Sequence, residues 1–247
     1  MINIVKQHFL SLNRILENYL LLNTIYLITL ITIFTIMIII FIIKKNNQFL
    51  SLIDSKLIEF FVWFIPSIII IILSIYTIKS SFFLNPFKNI YYNIKPLYLE
   101  IISMNWKWMI IYPLQKILTF NEILLPILIP IKIFLSSNSI INTICIPKFG
   151  NQIYCMSNSK KFVNILILKH GFCHAINSNY SGIGSINLKI TIFAVIKKFF
   201  FYWINNIKKS IYFNIKNYNY LIKKGYFYTK FFKIRNNKIY FLILKKK

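Results

Sequence analysis

Two stretches near the N-terminus contain no charged residue. Tyr19 to Ile43 offers about 25 residues of Leu, Ile, Phe, Tyr and Thr. At about 1.5 Å per helical residue, that length crosses a hydrocarbon core roughly 30 Å thick. Lys44 and Lys45 close it, and Asn46 to Lys56 forms a short polar loop holding Asp54, the only aspartate. A second uncharged stretch runs from Phe60 to Ile78, with Trp63 near one end and Lys79 closing the other. The pattern predicts a transmembrane hairpin. Pro66, inside the second helix, lacks an N–H and should kink it unless neighbouring groups compensate.

From Lys95 the pattern changes. Short apolar runs alternate with turn residues, among them Pro113, Pro126, Pro130, Pro147, Gly150, Gly171, Gly182 and Gly184. Strands are predicted at Leu97–Ser103, Trp106–Tyr112, Glu122–Leu125, Ile131–Ser136, Ile140–Ile146, Val163–Leu168, Phe172–Ala175 and Leu188–Val195, spacing that suits a β-sandwich of about 100 residues. The organisation expected is an N-terminal segment 1–18, a hairpin with its linker 19–94, a sandwich 95–196 and a basic tail 197–247. Within the tail, Trp203 to Ser210 has the composition of a helix.

Composition adds little to this division. Mean hydropathy is +0.61, above that of a soluble globular chain. The formal charge of +25 comes from 30 basic against 5 acidic residues. Lysines are scattered rather than clustered, and no arginine-rich recognition helix appears, so nucleic acid is not an expected partner. Cys145, Cys155 and Cys173 show no paired spacing and predict neither a disulfide framework nor a zinc knuckle. Met1 to Asn18 is short and basic and lacks the features of a cleaved signal peptide. The first span is therefore expected to act as its own export signal.

The stretch Leu135 to Met156, LSSNSIINTICIPKFGNQIYCM, reads as strand, tight turn, strand. It resembles the loop that carries the first copper ligand in subunit II of the haem–copper oxidases. Copper-bearing relatives read roughly V-L-H-S-W-x-x-P-x-x-G there, and Asn142 takes the position of the His. Their second loop reads C-x-E-x-C-x3-H-x2-M. Asn177 to Leu188 aligns with it: Asn177 and Ser181 take the thiolate positions, Ser185 the His position and Leu188 the Met position. An amide, two hydroxyls and a hydrocarbon are poor replacements for the soft ligands that select copper. The run Tyr180-Ser181-Gly182-x-Gly184 is instead similar to the Y-S-G-x-G of the bo-type ubiquinol oxidases. Further shared elements are K-P-L, I-S-M-N-W-K-W, I-Y-P, N-E-I, S-N-S and I-P-x-x-G-x-Q-I-Y-x-M.

The resemblance implies a membrane α+β protein: a two-helix transmembrane hairpin, a cupredoxin-like β-sandwich without the binuclear copper (CuA) centre, and a short helical tail. It implies a place beside oxidase subunits I, III and IV in a bacterial inner membrane, with both termini and the sandwich on the periplasmic side. Haem and the oxygen-reducing copper would lie in subunit I, which would also bind ubiquinol. No cofactor is expected in this chain, and membrane lipid is expected around the hairpin.

Glu59 opens the second span within a segment similar to the family's N-K-x-E-x-x-x-W. There the Glu stands at the cytoplasmic mouth of the K proton pathway. A helix N-terminal acid favoured by the helix dipole has the same sequence signature. His170, Cys173 and His174 offer two imidazoles and a thiol but no fourth ligand, so a structural metal is not expected. Trp106 and Trp108 are expected to pack on one sandwich face. Glu100 and Glu122 form no hydrolytic pair, and no phosphate-binding glycine pattern occurs. Two rival readings are a cytochrome c oxidase subunit II that retains copper and a degraded membrane-anchored binding module.

Overall fold

A computed structural model describes residues 9–44, 56–83, 85, 87, 94–157, 159–213, 225 and 228–234. Lys45 and Asp54 lie outside the described residues with the rest of the loop up to Ser55, as does much of the basic tail 197–247. The chain divides into two compact units, residues 16–85 and residues 1–15 with 86–247.

The first unit is built from helices α1 (Leu12–Lys44) and α2 (Lys56–Phe83). Both are long and apolar enough to cross a membrane. α1 begins before the uncharged stretch and takes in Arg14 and Glu17. Large apolar side chains such as Ile25, Ile28, Ile33, Ile36 and Ile39 are exposed around α1, as Ile70, Ile71, Ile72 and Ile75 are on α2. A helix that is apolar all round needs a buried or lipid setting. Its few hydroxyls carry their own partners: Thr24, Thr29, Thr32 and Thr35 each donate to the carbonyl three residues back at 2.8–2.9 Å. Ser67, next to Pro66, donates to the Trp63 carbonyl at 2.8 Å, and α2 runs unbroken through the proline. The Nδ2 of Asn23 donates across the hairpin to the Tyr76 hydroxyl at 3.0 Å. In an apolar medium such pairing removes the penalty of an unsatisfied amide.

The second unit is a sandwich of two sheets. Strands β1 (Leu97–Met104), β2 (Lys107–Tyr112), β3 (Ile117–Phe120), β5 (Pro130–Ser137), β8 (Lys161–Leu166) and β11 (Lys230–Lys233) form the first, in the order β11-β3-β2-β1-β5-β8. Strands β4 (Glu122–Pro126), β6 (Asn142–Ile146), β7 (Asn151–Cys155), β9 (Gly171–Asn177) and β10 (Lys189–Val195) form the second, in the order β4-β10-β9-β6-β7. Between them pack Leu99, Ile101, Trp108, Ile110, Ile133, Ile165, Ile190 and Ile192, all nearly inaccessible. Helix α3 (Lys197–Ile207) follows β10 and buries Phe200, Ile204 and Ile207. The helical hairpin, the β-sandwich and the short helix after it that were expected from sequence are the architecture found.

Several details depart from the sequence reading. β3 and β11 were not anticipated. The stretch 135–156 is not one hairpin, because Leu135 to Ser137 ends β5 in the first sheet while β6 and β7 lie in the second. The turn between β6 and β7 is a single 3₁₀ turn, Pro147–Phe149, closed by Gly150 at φ 70°. α3 starts at Lys197, six residues ahead of Trp203. Trp106 sits outside β2, at φ 64° in the Asn105–Trp106 turn joining β1 to β2. It therefore does not share a strand face with Trp108.

Every residue of β2 is buried, whereas a half-buried strand would alternate. The reason is a second cluster on the outer face of the first sheet. There Met109, Ile111, Leu118 and Phe120 meet Phe213, Phe232 and Ile234 from the C-terminal region. Asn121 makes the corner where the chain passes from one sheet to the other. At φ 58° its Oδ1 accepts from the Trp108 N–H at 2.8 Å, and its carbonyl accepts from the Thr191 N–H at 2.9 Å. Asn tolerates this left-handed conformation better than branched residues do, which accounts for the first letter of N-E-I. The buried Tyr112 hydroxyl donates to the Leu124 carbonyl at 3.0 Å and accepts from the Leu124 N–H at 3.1 Å, tying β2 to β4.

Candidate functional site

The five positions singled out by the resemblance, Asn142, Asn177, Ser181, Ser185 and Leu188, gather at one end of the second sheet. β6 places Asn142, almost fully buried, beside the end of β9, where Asn177 terminates the strand. The two strands pair antiparallel, Ile144 with Asn177 and Cys145 with Ile176. The Nδ2 of Asn177 donates to Asn142 Oδ1 at 3.0 Å, to the Asn179 carbonyl at 2.7 Å and to Ser181 Oγ at 3.3 Å. Its Oδ1 accepts from the N–H groups of Thr143 at 2.8 Å and Asn179 at 3.2 Å. Backbone carbonyls only accept and backbone N–H groups only donate. Those partners therefore fix which end of the amide is nitrogen.

Asn142 continues the network into the other sheet. Its Nδ2 donates to Ser103 Oγ on β1 at 2.6 Å and to the Ile140 carbonyl at 3.3 Å. Around it, Ser137 Oγ donates to the Ile140 carbonyl at 2.7 Å, and the Ser139 N–H donates to Ser137 Oγ at 3.1 Å. The Asn138 N–H donates to the Ser103 carbonyl at 2.8 Å. These contacts give the S-N-S stretch its structural reason. They also bring in Ser103, a site residue that sequence inspection missed. Its position within I-S-M-N-W was visible, but nothing local to it pointed to a partner 39 residues away.

The remaining two positions sit on the loop that follows. Ser185 lies in the 3₁₀ turn Ile183–Asn187, half-exposed, and its N–H donates to the Gly182 carbonyl at 3.0 Å. Leu188 is buried in the sandwich core, and its carbonyl accepts from the Asn177 N–H at 3.2 Å. Trp106 holds the loop from outside the sheet. Its indole N–H donates to the Ser181 carbonyl at 3.0 Å. A Cβ on Gly184 would lie 2.2 Å from Trp106 Cδ2, so only glycine admits the ring. Gly182 has φ 96°, a region that L side chains rarely adopt. The Y-S-G-x-G signature is thus a seat for an indole.

These residues do not fit a binuclear copper group. Asn142, Asn177 and Ser181 present amides and hydroxyls that bond one another, and Leu188 presents hydrocarbon to the core. Thiolate and imidazole are what such a site needs. Burial raises the thiols of Cys155 to about 12 and Cys173 to about 11, which keeps both protonated. Cys173 faces the core on β9, His174 is exposed on the same strand and meets the Phe172 ring edge-on at 5.8 Å, and His170 precedes the strand. Among the described residues no group of three or more His, Cys, Asp or Glu is placed to hold a metal.

Glu59 occupies the first turn of α2 and is exposed. A carboxylate there is favoured by the helix dipole.

The fold and this pocket together define a class: a hairpin of two helices apolar enough to cross a membrane, followed by a β-sandwich that carries a buried amide and hydroxyl network at one end. Comparison with known proteins gives the particular relatives. The chain is 43% identical over 159 residues to a cytochrome bo(3) ubiquinol oxidase subunit 2 from Buchnera aphidicola subsp. Baizongia pistaciae, covering 64% of this chain and 56% of that one. It is 34% identical over 158 residues to ubiquinol oxidase subunit 2 of Acetobacter aceti, covering 63% and 52% respectively. It is 33% identical over 156 residues to cytochrome bo(3) ubiquinol oxidase subunit 2 of Pseudomonas putida, covering 63% and 50%. The chain is a homologue of these ubiquinol oxidase subunit 2 proteins, and it spans little more than half their length. No protein-family model matches it. The periplasmic domain of subunit II of cytochrome oxidase from Bradyrhizobium japonicum aligns at TM-score 0.44 and 20% identity, over 46% of this chain and 94% of that domain.

Proposed function

We propose that this chain is a non-catalytic subunit of a proton-translocating ubiquinol oxidase, a complex that oxidises ubiquinol and reduces oxygen to water. The observation that carries the reading is the Ser103–Asn142–Asn177–Ser181 network. A self-satisfied polar cluster stands where an electron relay from cytochrome c would need metal ligands, so quinol is the donor that dispenses with it. Haem and copper chemistry would be supplied by subunit I. This chain contributes the hairpin that docks in the bilayer beside that subunit and a rigid cap outside the bacterial inner membrane, with subunits III and IV completing the complex.

Glu59 is proposed as a proton-uptake group at the K pathway. Support comes from its place at the first turn of α2 and its exposure, which allow exchange with water. A carboxylate at the rim of a span is a common functional position. Affinity purification of the full chain from membranes should bring down a haem-bearing partner whose haem is reduced by ubiquinol. Recovery of the chain alone would sink the reading. In the purified complex, Glu59→Ala should slow the reductive phase of turnover; an unchanged rate would remove Glu59 from the pathway and leave the subunit assignment standing.

The rival that retains copper is opposed by the donor chemistry of five positions at once. A degraded binding module is opposed by the completeness of the polar network, in which every amide of Asn142 and Asn177 has a partner.

A further inference from the structure

Helix α3 turns one face into the sandwich and leaves the other uncovered. Phe200, Ile204 and Ile207 are buried. The outward face carries Lys198, Phe199 and Tyr202 and is continued past the helix C-terminus by Lys209, with Lys197 and Lys208 at its borders, all exposed. Phe199 and Tyr202 are 56% and 63% exposed, and their rings lie 6.4 Å apart. No acidic residue follows Glu122 anywhere in the sequence. Paired aromatics flanked by lysines are the composition of an interfacial helix, in which rings sit among head groups and ammonium groups meet phosphates.

Topology supplies a second, independent observation. Residues 9–15 belong to the sandwich unit. The Leu10 carbonyl accepts from the Leu168 N–H at 2.8 Å, and Ser11 Oγ donates to the Phe149 carbonyl at 2.8 Å. The Ile167 carbonyl accepts from Leu128 N–H at 2.8 Å, and the Val195 carbonyl accepts from Ile127 N–H at 2.9 Å. Three main-chain rungs thus link Leu10, which leads into the apolar helix at Leu12, with Val195, which leads into α3. Main-chain bonds within one unit tie the segment that enters α3 to the segment that enters the apolar helix.

We propose that the exposed face of α3 is a binding surface for anionic phospholipid head groups, with Lys198 and Lys209 as its charged contacts and Phe199 and Tyr202 as its interfacial anchors. The proposal rests on the hairpin spanning a membrane and not on the oxidase reading. A lysine near an anionic surface strengthens attachment on the order of fivefold. Reversing two of them should therefore weaken attachment by more than about tenfold.

The test uses the full chain in lipid nanodiscs, carrying Cys145→Ser and Tyr202→Cys, with an environment-sensitive fluorophore on the new thiol. Cys155 and Cys173 are buried and stay unlabelled. In bilayers containing phosphatidylglycerol, brominated lipids should quench the probe and acrylamide should not. In pure phosphatidylcholine the preference should reverse. Adding Lys198→Glu and Lys209→Glu should give the phosphatidylcholine result in both bilayers. Equal lipid quenching in the two bilayers would overturn the anionic site. Acrylamide quenching throughout would overturn membrane contact altogether. Shielding that appears only when other subunits are bound would assign the face to a protein partner instead.

Discussion

Asn177 donates to Asn142 across the β6–β9 pair, nitrogen to oxygen at 3.0 Å, while Asn177 Oδ1 accepts from the Thr143 N–H and Asn142 Nδ2 donates to Ser103 Oγ. This one bond joins the start of β6 to the end of β9. It also couples the sheets, because Asn142 reaches Ser103 on the opposite one. The pocket keeps its shape by hydrogen bonding.

Truncating either amide should therefore cost more than one surface contact. Asn177→Ala strands the Thr143 and Asn179 N–H groups and should destabilise the folded chain by about 1–3 kcal/mol. Asn142→Ala should fall in the same range. Because they share partners, the double variant should lose less than the sum, with a coupling of at least about 0.5 kcal/mol. Denaturant titration of the detergent-solubilised chain gives all three values, and strict additivity would mean the two residues do not act together.

The indole seat gives a sharper prediction. Gly184→Ala places a methyl group within the Trp106 ring and should expel it, costing about 1–3 kcal/mol as overpacking does. Intrinsic fluorescence should shift to the red as the indole meets water. In a Trp106→Ala background the same Gly184→Ala change should be nearly silent. A full-sized penalty in that background would mean that the glycine is required for its backbone alone.

Lys107 offers a pH dependence. It is fully buried on β2, opposite Met104, and burial lowers its pKa from 10.5 to about 8. Below pH 8 the folded state bears the cost of a buried ammonium. Between pH 8 and 10.5 the folded chain has released a proton that the unfolded chain still holds, so unfolding free energy rises with pH in that window. Relative to Lys107→Met, the wild type should gain on the order of 2 kcal/mol between pH 7.5 and pH 10.5. The comparison with the variant cancels the opposing titration of the buried thiols, which begins near pH 9. A stability gap that stays constant across that range would show Lys107 to be charged throughout.

Metal analysis is the simplest check on the pocket. After incubation with excess Cu(II) or Zn(II) and desalting, the purified chain should retain well under one equivalent of either. An absorption band from a copper–thiolate bond that survives Cys145→Ser, or one tightly held zinc in that variant, would require that a buried thiol leave the core or that the amide network open.

Much of this protein can be read from sequence by itself. Uncharged runs bounded by lysines mark the two spans, because lipid tolerates no charge and sets a minimum length. Alternation broken by Pro and Gly marks most of the sandwich strands, and the letters at positions 142, 177, 181, 185 and 188 show amides, hydroxyls and a hydrocarbon in place of thiolate and imidazole donors. Only the tertiary structure decides the rest. That Ser103 completes the amide network, that Trp106 leaves its strand to seat on Gly184, and that β2 is covered on its outer face by Phe213 and Ile234 all depend on contacts between residues far apart in the chain. Periodicity reports which side of a strand is apolar; it carries no information about what a distant segment later lays against the other side.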